Sequence, residues 1–263
     1  MSVWRLLKLE TQNASANMAI DEAILQARIE NFVPNTVRFY KWNPSAVSVG
    51  KFQNVEKEVQ IDNCEKYGVD IVRRITGGGT VYHDADGELT YSVIVRKEDL
   101  QTEDVTAVYA KIYSGIAEAL QNLGIKSDFN QGNIKTCPNL TVNGKKISGS
   151  AQCHKKGVVL QHGTLLLDVD LEKMFTFLRV PWAKTCMQIL NVAKNKITSI
   201  RKEAGKAFSV KNLEQALIEG FQKALNIKFV NDELTLYERE LAEHLYREKY
   251  STKEWNFYGN LSK

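Results

Sequence analysis

Three groups of residues place reactive side chains in patterns that chemistry can use. The first is RRITGGGTVYHD, residues 73–84, in which two arginines, three consecutive glycines and a His-Asp pair follow an apolar run. Glycine admits positive φ and lets a ligand approach the main chain, so Gly77, Gly78 and Gly79 predict a turn that wraps around something slim. Successive N–H groups in such a turn can form an anion-binding concavity, and Arg73 and Arg74 add delocalised charge suited to a carboxylate or phosphate. The loop is not a nucleotide signature, because its glycines run into Thr80-Val81-Tyr82 and a second strand, not into GK[ST] or a helix. A bare sheet-edge turn is the simpler alternative.

The second group is Lys145-Lys146 in NGKKISGSA. Asn143-Gly144 between two strand-like runs predicts a tight hairpin, and strand alternation sends one lysine into the sheet and its neighbour outward. A solvated surface pair is the competing reading. The third group is the cysteines, Cys64, Cys137, Cys153 and Cys186, which are spread widely with no CxxC and no Cys/His metal spacing. Neither a structural zinc nor a disulfide framework is expected.

Stepping outward, strands are predicted at Val3–Glu10, Thr36–Trp42, Ala46–Gly50, Val69–Arg73, Glu88–Val95, Asn139–Val142, Lys146–Gln152 and Gly157–Leu167. Helices are predicted at Ala16–Arg28, Val105–Leu123, Val210–Leu225 and Leu234–Tyr250. Val108, Ile112, Ile116, Ala119 and Leu123 form one stripe, so that helix should lie on a sheet and stop at Gly124. Residues 168–206 are weakly patterned, with a short helix near Leu171–Leu178 and then a long connection or a loop that orders on a ligand.

The composition, 43% hydrophobic and 25% charged over 263 residues, is that of a globular protein. No apolar run reaches the roughly 20 residues of a membrane span. The amino terminus lacks a continuous apolar segment and a small-residue cleavage site, so a cytoplasmic protein is expected. A net charge of +4 falls short of a dedicated nucleic-acid binder and suits an anionic small molecule or an acidic protein partner.

RRITGGGTVYHD, NMAIDEAIL, VRFYKWNPSAVSVGKFQN, ELTYSVIV, NGKKISGSAQ, QHGTLLLDVD and YSTKEWNF together resemble the lipoate-protein ligase A family, in the family's order and across practically the entire chain. The resemblance implies an α/β (α+β) fold of mixed central sheets flanked by helices, of the class II aminoacyl-tRNA synthetase and biotin/lipoate ligase kind. It implies a single catalytic domain over residues 1–263 with no C-terminal accessory domain. It further implies a curved pocket for a short acyl chain, bordered by Gly77–Gly79.

By the same resemblance Lys146 is the inward lysine and the catalytic group. Substrate-binding residues are then Arg73, Gly77, Gly78, Gly79, Thr80, His83, Ser150, Ala151, His162 and Gly163, with His162 orienting the loop. His83 is expected to shape the pocket more than to transfer protons. The implied reaction is activation of lipoate or octanoate by ATP and Mg2+ as an acyl-AMP, a closing loop within residues 168–199, and transfer to a lysine of a lipoyl domain. The acceptor would be the E2 component of a 2-oxoacid dehydrogenase or the glycine-cleavage H protein, and a separate small accessory subunit is a further implied partner.

One departure opens an alternative. Ligases of this family carry Asn-Asp before the turn preceding the lysine, whereas Pro138-Asn139 stands here, and an amide is a poorer magnesium ligand than a carboxylate. Asn139 is the one metal candidate. Related octanoyl and lipoyl transferases use a cysteine upstream of the lysine hairpin, which points to Cys137 as the site of an acyl-thioester, with octanoyl-acyl-carrier protein as donor and no cofactor. The register is imperfect, since the transferase cysteine usually lies several residues further upstream. Lys135 or Lys146 would stabilise the thiolate. A free cysteine as a small buried hydrophobe is the plainer reading of Cys137, and of Cys153.

Overall fold

The computed structural model describes residues 1–133, 137–183 and 185–259. Along the chain run β1 (Ser2–Gln12), α1 (Ala14–Ile29), β2 (Thr36–Trp42), β3 (Ala46–Val49), α2 (Val55–Glu58), α3 (Ile61–Tyr67), β4 (Asp70–Arg73), β5 (Val81–His83), β6 (Glu88–Arg96) and α4 (Val105–Asn122). Then come β7 (Asp128–Asn130), β8 (Asn139–Val142), β9 (Lys145–Lys155), β10 (Val158–Leu166), α5 (Leu171–Phe177), α6 (Cys186–Ala193), α7 (Ile200–Ala204), α8 (Val210–Leu225), β11 (Ile227–Asp232) and α9 (Leu236–Leu245). Two π-helical turns, Tyr246–Tyr250 and Glu254–Tyr258, follow.

Eight strands form one mixed sheet in the order β11-β1-β2-β6-β10-β9-β8-β7, with β1 parallel to both neighbours and the rest antiparallel. A second sheet, β4-β3-β5, has three strands. The expected α/β class with mixed sheets flanked by helices is what the chain adopts. Its central strand, β6, divides by alternation: Leu89, Tyr91, Val93 and Val95 join the core under α4 and α8, while Glu88, Thr90 and Ser92 are buried on the other face. Those three polar groups must find partners there, and the partners are the site.

The predicted stripe on α4 is buried at Val108, Ile112, Ile116 and Ala119. Asp104 caps the helix by accepting from Ala107 N at 2.7 Å, and Gly124 follows its end with φ 82°. α4 and α8 approach so closely that a Cβ on Gly220 would lie 2.3 Å from the Gly115 carbonyl oxygen and 2.7 Å from Ala119 N. Main chain cannot yield as a flexible side chain does, so Gly220→Ala is expected to cost about 2 kcal/mol or more, read as a lowered midpoint of denaturant unfolding. An unchanged midpoint would mean the helices slide apart freely.

Several elements were not legible. The strands β7 and β11 are short or polar edges, and α2, α3, α6 and α7 have ten or fewer residues each, too few for a 3.6-residue period to declare itself. The helix predicted over Leu234–Tyr250 keeps its regular form only to Leu245 and widens into the π-turn. No helix among the described residues is long and apolar enough to cross a membrane.

Candidate active site

The glycine loop joins β4 to β5, the two outer strands of the small sheet, and so must cross the end of β3 between them. A Cβ on Gly50, just past β3, would sit 2.1 Å from the carbonyl oxygen of Gly78, so main chain rests on main chain. Arg74, the first residue of the crossing, is buried and spends its guanidinium on the loop. It donates to the carbonyls of Gly77 (3.0 Å) and Gly79 (2.9 Å), to the carbonyl and hydroxyl of Ser48 (both 2.8 Å), and to Thr76 Oγ1 (3.2 Å). Burial pulls its pKa down to about 10, which leaves it a cation at neutral pH.

Two histidines stand behind this arginine. His162 on β10 has Thr76 Oγ1 at 2.8 Å from Nε2 and Asp21 Oδ2 at 3.0 Å from Nδ1. Burial disfavours ionisation of Asp21, but hydrogen bonds and charge from His162 and Arg38 outweigh it and hold the carboxyl below its ordinary range. An ionised Asp21 only accepts, so the imidazole proton sits on Nδ1 and Nε2 accepts from the Thr76 hydroxyl. His83 on β5 is built alike, with Glu88 Oε1 2.6 Å from Nδ1 and Ser48 Oγ 2.7 Å from Nε2, and it stacks on Trp42 at 4.0 Å between ring centroids. Arg74 is thus the meeting point of two His-carboxylate chains.

The His162–Asp21 pair is acid-sensitive. Burial lowers the pKa of His162, with Asp21 opposing, and that of Asp21 is lowered as well, so the unfolded chain binds more protons than the folded one. Their stability contribution is complete above the unfolded histidine value of 6.5 and is lost as the pH falls below it. His162→Gln is expected to flatten the fall in melting temperature between about pH 7 and about pH 5; a slope equal to that of the wild type would assign the acid sensitivity elsewhere.

In front of these chains opens a cavity of about 440 Å³. Met18, Tyr40, Trp42 and Val81 give it apolar walls, Gly78, Gly79 and Thr80 form one rim, and Cys137, Pro138, Asn139 and Lys146 form another. Ser150, Ala151, His162, Gly163 and His83 also line it. No aspartate or glutamate is among these described lining residues.

Lys146 owes its position to three features. The Asn143-Gly144 hairpin has both residues at positive φ (50° and 74°), a one-residue irregularity follows between β8 and β9, and β10 ends before reaching it. The free edge is taken instead by residues 196–198: Lys146 N donates to the Lys196 carbonyl at 2.8 Å, and Thr198 N donates to that of Lys146 at 2.9 Å. The side chain lies over Gly149, where a Cβ would come 2.4 Å from Nζ. Its accessible surface borders the cavity, and the protein around the amine lowers its pKa by burial, with Cys137 opposing and Arg74 reinforcing. On the same rim, Cys137 Sγ would be 3.7 Å from a Cβ on Gly78, so the two rims meet there. Tyr113 OH ties β9 to the Cys137 rim, accepting from Ser150 Oγ at 2.8 Å and donating to the Pro138 carbonyl at 3.2 Å.

The predicted residues converge with some exceptions. Arg73 lies outside the cavity: it turns the opposite way from Arg74 and donates to the carbonyls of Gly50, Lys51, Gln53, Trp255 and Phe257, pinning the C-terminal turn under the loop. Gly77 is not on the wall; its carbonyl accepts from Arg74. Asp84 pairs with Lys173 at 2.8 Å, away from the cavity, and Cys153 packs beside an apolar cluster. Asn139 donates through Nδ2 to the Cys137 carbonyl at 3.2 Å and braces that loop. The expected loop within 168–199 carries α5 and α6 and holds the lysine strand by backbone, while Lys135 lies outside the described residues. Sequence reasoning missed Asp21, Ser48, Thr76, Glu88 and Tyr113.

A family model, the lipoyl protein ligase A/B catalytic domain, matches residues 13–222. The chain belongs to this family. Within it, octanoyltransferase LipM of Brevibacillus brevis is 38% identical over 275 residues, covering 97% of this chain and 99% of that protein. Among solved structures, a bipartite lipoate protein ligase from the archaeon Thermoplasma acidophilum, studied with its E2 lipoyl domain, superposes with a TM-score of 0.86 at 32% identity, covering 100% of this chain and 99% of its own. A lipoate-protein ligase A bound with ATP matches equally, with a TM-score of 0.86, 32% identity and coverage of 99% and 100%. As a lipoyl protein ligase A/B family member the chain is an enzyme of the lipoate ligase and octanoyltransferase group.

Proposed function

We propose that the chain is an octanoyltransferase that moves an octanoyl group from acyl-carrier protein to a lysine of a lipoyl domain through a thioester on Cys137. The observation that carries this reading is the presence of Cys137 and Lys146 together on the wall of a cavity whose described lining has no carboxylate. Magnesium seeks oxygen ligands, carboxylates above all. Here the nearest oxygens belong to the amide of Asn139 and to hydroxyls, a poor donor set for Mg-ATP. The named octanoyltransferase relative, aligned end to end, supports the same choice over the ATP-dependent ligase.

The apolar walls suit an aliphatic tail: at about 0.8 kcal/mol per buried methylene, an octanoyl chain gains roughly 5 kcal/mol. In the first step the Cys137 sulfur attacks the donor thioester, the new C–S bond forms, the old one breaks, and the thiol proton passes to the departing carrier thiol. In the second step the neutral acceptor amine attacks the Cys137 thioester, an amide forms, and the amine proton ends on the Cys137 sulfur. Both steps pass through a tetrahedral oxyanion. Lys146 is the cation in reach of it, and Arg74 keeps the opposite rim fixed.

Incubation with octanoyl-carrier protein in the absence of ATP is expected to give an acylated protein by intact-mass analysis, lost in Cys137→Ser. Lipoate-dependent pyrophosphate exchange with no such adduct would return the assignment to the ligase.

A further inference from the structure

We propose that Lys146 is itself an acylation site, taking the octanoyl group from Cys137 as a stable amide when no acceptor domain is bound. The inference rests on the Cys137 thioester and extends it to a second nucleophile in the same cavity. Both side chains line one cavity, Arg74 is a cation acting on Lys146, and no described residue lining the cavity is a carboxylate that would lock the amine as an ion pair. Its strand is clamped on both edges, by Thr141 of β8 and by residues 196–198, so the base of the lysine is fixed at the cavity that Cys137 also lines. A tethered pair of this kind reacts as an intramolecular one, with a large effective concentration.

Chemistry favours the step. Nζ of the neutral amine adds to the thioester carbonyl, the C–N bond forms as the C–S bond breaks, and the proton leaving nitrogen is taken by the Cys137 sulfur. No further reactant is needed. Burial already shifts Lys146 toward the neutral form in which it can attack, and Arg74 acts in the same direction. Gly149 leaves the space beneath Nζ open, and the amine must swing from there to reach the carbonyl, which makes the reaction slower than transfer to an entering acceptor. Once acylated, the side chain has lost the charge that serves the oxyanion, so the enzyme is silenced.

The test uses the full chain with octanoyl-carrier protein and no acceptor. Samples taken over time are divided, and one half is treated with neutral hydroxylamine, which cleaves thioesters and spares amides. A hydroxylamine-resistant adduct is expected, rising with time and with pH from none to the major acylated form, mapped by peptide analysis to Lys146 and suppressed by added lipoyl domain. A sensitive adduct that is removed completely at every time, or a resistant one mapping to Lys145 or another lysine, would overturn the proposal while leaving the thioester standing. Absence of any adduct would remove the Cys137 thioester and the Lys146 amide together.

Discussion

Lys146→Ala is expected to slow octanoyl transfer to an acceptor lipoyl domain by about 10²–10³-fold, equivalent to about 3–4 kcal/mol of transition-state stabilisation, with little change in melting temperature. The size follows from the placement of the amine, because a cation held by the protein opposite a developing oxyanion costs no reorganisation as the charge forms. A second variant separates the charge from the side chain. In Gly149→Ala the new methyl would sit 2.4 Å from Nζ, and because that contact is with the far end of a flexible chain, the lysine moves and the backbone does not. Gly149→Ala should therefore lose much of the rate while keeping wild-type stability and an intact ammonium. Measuring single-turnover transfer from preformed acyl-enzyme reads the effect directly. Wild-type rates in both variants would mean that Lys146 does not serve the reacting carbonyl.

The features legible in the sequence were those fixed by local backbone chemistry. Three glycines after a strand and Asn143-Gly144 before a strand each dictate a turn that few other residues allow; the first borders the cavity and the second leads into the lysine that does. Strand alternation separated Lys145 from Lys146, but it gives two faces without saying which one meets the ligand, and it was silent on Arg73 and Arg74. For the arginines the answer lies at the other end of the chain. The carbonyls of Trp255 and Phe257, about 180 residues away, claim Arg73 and leave Arg74 for the loop. The carboxylates behind the histidines were hidden for a similar reason, since Asp21 and Glu88 are far from their partners or on another strand. A signal was present nonetheless. Asn17 and Asp21 stand at i and i+4 among the otherwise apolar buried residues of α1, and both bind Arg38, at 2.7 and 3.0 Å. Glu88, Thr90 and Ser92 alternate along β6 in the same way. Polar residues recurring at the period of a buried face announce a polar network, because burying them alone would cost too much.

The other large effect concerns that network's hub. Arg74→Leu removes five side-chain hydrogen bonds and leaves the carbonyls of Gly77 and Gly79, and that of the buried Ser48, without their donor. With bonds to a charged donor worth about 1.5–3 kcal/mol each and not additive, a loss of at least about 3 kcal/mol in stability is expected, together with loss of acyl-enzyme formation. Arg74→Lys is the informative companion. An ammonium keeps the charge but has three donors on a point, and cannot reach hydroxyl and carbonyl groups on both sides as a planar fork does. If the role were charge alone, lysine would restore the rate of acyl-enzyme formation; if the fork shapes the rim, lysine should recover part of the stability and little of the rate. Following adduct formation and thermal unfolding in parallel distinguishes them. Full recovery of both by Arg74→Lys would refute the view that the glycine rim is held open by geometry, because a charge placed anywhere nearby would then have sufficed.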